Sequence, residues 1–320
     1  MTELLLMRHG KSSHHLGLPD FERPLTDRGK RDAQRVGEFL RVNHLIPEQI
    51  ISSPATRALA TAEKCIKATG LATDSIHTDS RIYEAGTDDL LDVVAEYRPH
   101  SSRLMIVGHN PSLEHLVESL VGKTVFNDKG MTTANVVHID VRDNSAAPIA
   151  KVIDVVRPRD LPRTFTFEGP QGAEQRERPA YYYSQSGVIP CRRVDGQLEV
   201  LLITKRYSDK KRSKRPVQWS IPKGIVEPGL TPQASATKEA MEEAGVEGHV
   251  GQRRLGTFTV AKWGATCTVQ VYAFLVTHAL PDADWESRKR IRKWFSVDDA
   301  AAACKYPELG PMVRSLVDNR

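Results

Sequence analysis

Three carboxylates, Glu239, Glu242 and Glu243, stand at i, i+3 and i+4 in the run from Gly224 to Gly245, a spacing that puts them on one face if the segment is helical. Thr231 suits a helix N-cap, Pro232 the first helical position and Gly245 the C-terminal stop, so the boundaries of that helix are legible. Like charges so placed repel by a few tenths of a kcal/mol per pair, and a hard divalent cation with oxygen ligands would relieve the repulsion. A second cluster lies at the other end of the chain. Leu4-Leu5-Leu6-Met7 is a short apolar run of the kind that makes a buried strand, and it delivers Arg8-His9-Gly10 to its C-terminal end, the ligand-binding edge of an α/β sheet. An imidazole that is neutral near pH 7 can attack a phosphoryl group and hold it, which splits one displacement into two.

The carboxylate run resembles the Nudix box, a family pattern of Gly, five residues, Glu, seven residues, Arg-Glu, two residues, Glu-Glu, one residue, Gly. Gly224, Glu239, Glu242, Glu243 and Gly245 match, and Trp219-Ser-Ile-Pro-Lys-Gly precedes them as the pattern requires. Two positions depart: Leu230 stands where the family has Glu, and Lys238 where it has Arg. The pair that braces the loop against the helix is therefore missing as a unit. The resemblance implies a Nudix α/β/α sandwich binding Mg²⁺ or Mn²⁺ through Glu239, Glu242 and Glu243, with the backbone of Lys223 and Gly224 beside the metal and a further Glu, for which Glu286 is the candidate, from the C-terminal half. A solvated acidic helix face is the bland alternative, and a Nudix fold reduced to a ligand sensor the more serious one.

The N-terminal cluster resembles the histidine phosphatase superfamily, and its phosphohistidine phosphatase SixA branch in particular. Arg8-His9-Gly10 is joined, in family order, by Pro24-Leu-Thr-Asp-Arg-Gly29, Ser52-Ser-Pro-Ala-Thr-Arg57, Tyr83-Glu84-Ala and Gly108-His109-Asn-Pro. The resemblance implies a three-layer α/β/α domain of phosphoglycerate mutase type that needs no metal. His9 is its nucleophile; Arg8, Arg57 and His109 hold the phosphoryl oxygens, Glu84 protonates the leaving oxygen and Ser12 lies at the substrate.

The elements that must position these groups make two domains. A chain of 320 residues exceeds the usual one-domain range of roughly 100 to 200 residues. Residues 1–157 are expected to be the phosphatase, closed by a hairpin of Asn135–Val141 and Ala150–Val156; the charged, Pro- and Gly-rich residues 158–180 a linker; and 181–320 the Nudix domain. Hydrophobic content of 40% supports a core in each half. The four cysteines are scattered without a CxxC pair, which argues against a zinc site or a disulfide framework, and with no apolar run of membrane-spanning length and no signal-like start the expected location is the cytoplasm. The net charge of +5 and the basic runs 205–215 and 288–293 indicate anionic partners. With the Trp219-to-Gly224 entry the runs resemble the diadenosine and diphosphoinositol polyphosphate hydrolase branch of the Nudix family, which implies a small anionic polyphosphate substrate, nucleotide in kind, with Lys205, Arg206 and Lys223 as substrate-binding residues. Nucleic acid ranks low, because no aromatic interleaving or recognition motif accompanies the charge. A bifunctional phosphohydrolase is the expectation; the alternative is a phosphatase acting on protein phosphohistidine with the Nudix half as its sensor.

Overall fold

In the computed structural model, residues 2–14, 17–126, 130–142, 149–169, 172–204, 217–282, 284–285 and 290–317 are described. The chain divides into two compact units, Met1–Pro179 and Ala180–Arg320.

The first unit is built around β1 (Thr2–Arg8). Successive side chains of a strand point to opposite faces, and here both faces are buried. Leu4 and Leu6 pack with Leu90, Val93, Leu113 and Leu116 of α3 (Thr87–Tyr97) and α4 (Ser112–Val121); Leu5 and Met7 pack with Ala33, Val36, Ala58 and Ala62 of α1 (Asp27–Val42) and α2 (Thr56–Ala68). The result is a three-layer α/β/α unit. Its six-stranded sheet has β2 (Gln49–Ser52), β3 (Ile76–Thr78), β4 (Arg103–Gly108), β5 (Val136–Arg142) and β6 (Ile149–Val156) in the order β3-β2-β4-β1-β5-β6. The first four strands run parallel, and the last two form the expected antiparallel hairpin. Parallel strands bring their C-terminal ends to one edge. Arg8 is therefore in register with Gly108, and Ser52 with Val107.

The segment 158–180 is not the structureless linker that its composition suggested. It carries the hairpin β7 (Phe165–Gly169) and β8 (Gly172–Arg176), with Phe165 buried and Leu161 packed against the α1/α2 core. Arg35 of α1 donates to the carbonyls of Leu161 and Pro162. Two apolar anchors and one guanidinium are enough to dock a stretch whose average composition reads as linker.

The second unit has a seven-stranded sheet of β9 (Ser184–Val194), β10 (Gln197–Thr204), β11 (Trp219–Ser220), β12 (Lys223–Ile225), β13 (Val246–Lys262), β14 (Ala265–Ala279) and β15 (Arg292–Ser296). The helix α5 (Pro232–Glu239) and the π-helical turn that continues it, Ala240–Ala244, lay Ala236, Ala240 and Ala244 on Val188, Leu201 and Phe274. On the other face, α6 (Val297–Ala303) and α7 (Leu309–Arg314) bury Ala300, Leu309 and Val313. This is the α/β/α sandwich that the resemblance implied. All four tryptophans, Trp219, Trp263, Trp285 and Trp294, fall in this unit. Among the described residues no helix is long and apolar enough to cross a membrane.

One close approach joins fold to site. A Cβ on Gly29, in the first turn of α1, would lie 2.2 Å from the Lys11 carbonyl oxygen, and that oxygen also accepts from the amide and hydroxyl of the N-cap Thr26 at 2.8 and 2.9 Å. Exchanging a helical glycine for alanine ordinarily gains about 1 kcal/mol. Here the clash is with backbone, which cannot rotate away, and overpacking of this kind costs about 1 to 3 kcal/mol. Gly29→Ala should therefore destabilise the first unit, with the far-UV circular dichroism transition in urea moving to lower concentration; a midpoint that stays or rises would mean that the loop after β1 yields freely.

Candidate functional site

At the parallel strand edge of the first unit, His9 is buried, and its Nδ1 lies 2.8 Å from the Gly10 carbonyl oxygen. A carbonyl only accepts, so Nδ1 carries the proton and the lone pair is on Nε2, the tautomer a nucleophile requires. The Gly10 amide donates to Thr61 Oγ1 at 2.9 Å, and that hydroxyl donates to the Arg57 carbonyl at 2.6 Å, which ties the His9 loop to α2. Burial, followed by the charges of Arg57, Arg8 and Arg23, pushes the His9 imidazole down to about 4 against the opposing pull of the Gly10 carbonyl. His9 is neutral at pH 7.

His109, one residue beyond β4, places its ring 5.1 Å from that of His9 and its Nε2 2.9 Å from Ser53 Oγ. Burial and then the neighbouring His9 push it down to about 3. Its Nδ1 is buried without a hydrogen-bond partner, as is Nε of Arg8, whose Nη1 donates to the Met131 carbonyl at 2.7 Å. Buried polar groups are almost always paired, so two unpaired groups beside a neutral imidazole describe a seat for a missing acceptor. Arg57, also buried, completes the ring of donors. Ser12 is buried but turned to the rim, where its hydroxyl accepts from Arg23 at 2.7 Å. Glu84 is the one expected member not gathered in. It is exposed, with a left-handed φ of 56°, and among the described residues no hydrogen bond or ion pair joins it to the cluster.

Sequence reasoning missed Asp20 and underused Tyr83. Asp20 accepts from Arg23 at 2.5 Å, from Arg57 at 2.7 Å and from the Tyr83 hydroxyl at 3.2 Å; the Tyr83 ring stands edge-on to His109 at 5.6 Å. Asp20 belongs to no motif and is fixed only by contacts across the fold, so spacing carried no trace of it.

In the second unit Thr231 caps α5 by accepting from Ala234 N at 3.1 Å. The wider π turn that follows alters the predicted face: the i+4 residue stays in register and the i+3 residue swings off it. Glu239 and Glu243 accordingly face a cleft of about 570 Å³ that also holds Lys223, Gly224, Glu227 and Arg290. Glu242 is exposed and lies 3.8 Å from Lys238 instead. Gly224 and the acid meet closely: a Cβ there would lie 1.6 Å from Glu239 Oε1, so the carboxylate would have to move aside. Burial, reinforced by Glu243 and Glu242, raises the Glu239 carboxyl to about 7. Glu243 accepts from the Lys223 amide at 3.1 Å and from Arg290. Burial lowers the Lys223 ammonium, against the attraction of Glu243.

Among the described residues no three His, Cys, Asp or Glu side chains make a closed metal cage. A magnesium ion does not need one, since it commonly takes one or two carboxylates and completes its shell with water and substrate phosphate. A repelled carboxylate pair against a glycine backbone fits such an ion. Leu230 is 41% exposed, and Lys238 Nζ instead reaches Glu227 at 3.3 Å, three residues upstream of the expected acid. Lys205 and Arg206, with the whole of the basic run 205–215 that they begin, lie outside the described residues, as does Glu286.

Two family models match the chain: Histidine phosphatase superfamily (branch 1) over residues 4–97 and NUDIX domain over residues 184–316. Diphosphoinositol polyphosphate phosphohydrolase 2 of Rattus norvegicus is 39% identical over 113 residues, which is 34% of this chain and 56% of that protein, so the chain spans little more than half of that relative. Among solved structures, the protein histidine phosphatase SixA complexed with tungstate is 19% identical, covering 50% of this chain and 99% of that one with a TM-score of 0.43. A C. elegans Ap4A hydrolase binary complex is 22% identical, covering 42% and 96% with a TM-score of 0.36. The boundaries of the two matches fall one on each unit and enclose the His9 strand end and the Gly224–Glu239 cleft, so the first unit carries a histidine phosphatase superfamily (branch 1) domain and the second a NUDIX domain.

Proposed function

We propose that the chain is a bifunctional phosphohydrolase whose first unit works through a phosphohistidine on His9. The observation that carries this reading is the pair of unpaired buried nitrogens, Arg8 Nε and His109 Nδ1, beside the free Nε2 of His9. In the step they support, His9 Nε2 forms a bond to phosphorus as the bond to the leaving oxygen breaks. Arg8, Arg57 and His109 take up charge on the other three oxygens. Glu84, on an exposed turn beside Tyr83, is the proposed proton source for the leaving oxygen, reaching it once substrate has entered. Attack of water on the phosphohistidine then returns His9 to its starting tautomer. None of these groups calls for a metal.

The second unit is proposed to hydrolyse a phosphoanhydride in a nucleoside, dinucleoside or inositol polyphosphate. Mg²⁺ or Mn²⁺ held by Glu239 and Glu243 would polarise the phosphate and acidify a water. Lys223 and Arg290, with Lys262 and Lys305 on the far wall of the cleft, supply the positive lining that a polyphosphate needs. The Glu227–Lys238 pair supports a working site over a reduced sensor, because it keeps the loop braced despite Leu230.

Three outcomes test the reading. His9→Ala should abolish metal-independent phosphatase turnover and leave metal-dependent hydrolysis intact, and labelled substrate should trap an acid-labile, alkali-stable phosphoenzyme in the wild type alone; label retained by the variant would move the nucleophile elsewhere. Glu239→Gln should lower metal-dependent turnover at least about tenfold while leaving the unfolding midpoint level or raised, since it removes a carboxylate that burial already disfavours. A loss of fold would make Glu239 structural and sink its role as ligand. The third concerns pH. Because the folded-state values of His9 and His109 are depressed to about 4 and about 3, their contribution is fully present above the ordinary histidine value of about 6.5 and is lost as pH falls through the folded values. Thermal stability of the first unit should fall between about pH 6.5 and 4, and His9→Gln should flatten part of that slope; an unchanged slope would mean that His9 is already solvated in the native state.

A further inference from the structure

The short turn Asp20–Glu22 sets one carboxylate where the phosphatase site expects an anion. Asp20 Oδ1 accepts from Arg23 Nη1 at 2.5 Å, and Oδ2 accepts from Arg57 Nη2 at 2.7 Å and from the Tyr83 hydroxyl at 3.2 Å. The remaining arm of Arg57 donates to the Asp20 carbonyl at 2.6 Å. Three donors from three separate segments thus converge on one carboxylate. Each borders the catalytic imidazoles: Tyr83 stands edge-on to His109, while Arg57 and Arg23 are close enough to His9 to depress it.

Exposure is unequal across the cluster. The Arg57 and Arg23 side chains are 8% and 17% exposed, and that of Asp20 is 51% exposed. The donors are fixed, and the acceptor sits on the outside of them. An ion pair with one partner so open to water is weakly held. A phosphoryl group offers more charge and more acceptor oxygens to the same guanidinium forks, so exchange of one for the other is downhill.

We propose that the Asp20 carboxylate is an internal stand-in for the phosphoryl oxyanion, displaced when substrate enters, and that Arg23 and Tyr83 join Arg57 as the seat it vacates. The proposal rests on the phosphatase reading of the first unit. A competent site that is partly filled by its own side chain binds more weakly by the fraction that stands open. Asp20 therefore acts as a threshold against weakly charged ligands.

The test is calorimetric titration of inorganic phosphate into the full chain, with EDTA present, for the wild type, Asp20→Asn, Asp20→Ala and Arg57→Gln. Heat lost in Arg57→Gln identifies binding at this site. Both Asp20 variants are expected to bind phosphate there about threefold tighter than the wild type, a shift of about 0.7 kcal/mol, with unfolding midpoints close to that of the wild type. Equal or weaker binding by both, with wild-type binding intact, overturns the stand-in and makes Asp20 a positioning residue for Arg57. Absence of any Arg57-dependent binding in every folded protein overturns the phosphoryl-site reading, and the stand-in with it.

Discussion

Backbone brought closer than a side chain would permit is the constraint on which both sites depend. At Gly29 the first turn of α1 closes on the Lys11 carbonyl, which fixes the loop that carries His9. At Gly224 the backbone of β12 closes on the Glu239 carboxylate, which fixes the acid against the strand that carries Lys223. In each case a β-carbon would fall within bonding distance or little beyond it, so the Lys11 backbone or the Glu239 carboxylate would have to shift. The chemistry hangs on these contacts because an imidazole lone pair or a carboxylate displaced by an ångström no longer meets its phosphate.

The two sites solve opposite electrostatic problems by the same means. Around His9 the protein gathers guanidinium groups and excludes water, so the imidazole is held neutral although it would otherwise titrate near physiological pH. Around Glu239, burial and the neighbouring Glu243 and Glu242 drive a carboxyl toward its neutral form against the pull of Lys238 and Lys223. In each, a group held in its neutral form by burial and like-charged neighbours stores unfavourable energy that a ligand of the other sign would release; on the proposed reading that ligand is an anionic phosphate in the first unit and a cation in the second.

Much of this was legible before any coordinates. The apolar strand of β1, the caps of α5, the closing hairpin of the first sheet and the residues Arg8, His9, Arg57 and His109 lie where their spacing placed them, because local sequence decides strand ends and helix caps. What spacing could not give was whatever depends on contacts between distant segments or on a departure from regular geometry. Asp20 is brought to Arg57 from 37 residues away. Glu242 leaves its face because the helix widens into a π turn at Ala240, and nothing in its residue types announces that turn. Lys238 finds Glu227 in place of position 230, a substitution visible only as a distance. Residues 158–180 misled for another reason: average composition hides the two apolar side chains that dock them.

The aromatic residues are divided unevenly between the units. With Trp219, Trp263, Trp285 and Trp294 all in the second, the indole emission of the intact chain comes from that unit alone, and Trp263 lines its cleft. The first unit is silent at those wavelengths. A change of indole emission on adding a divalent cation or a polyphosphate to the intact chain would therefore report on the second unit, with no need to cut the chain.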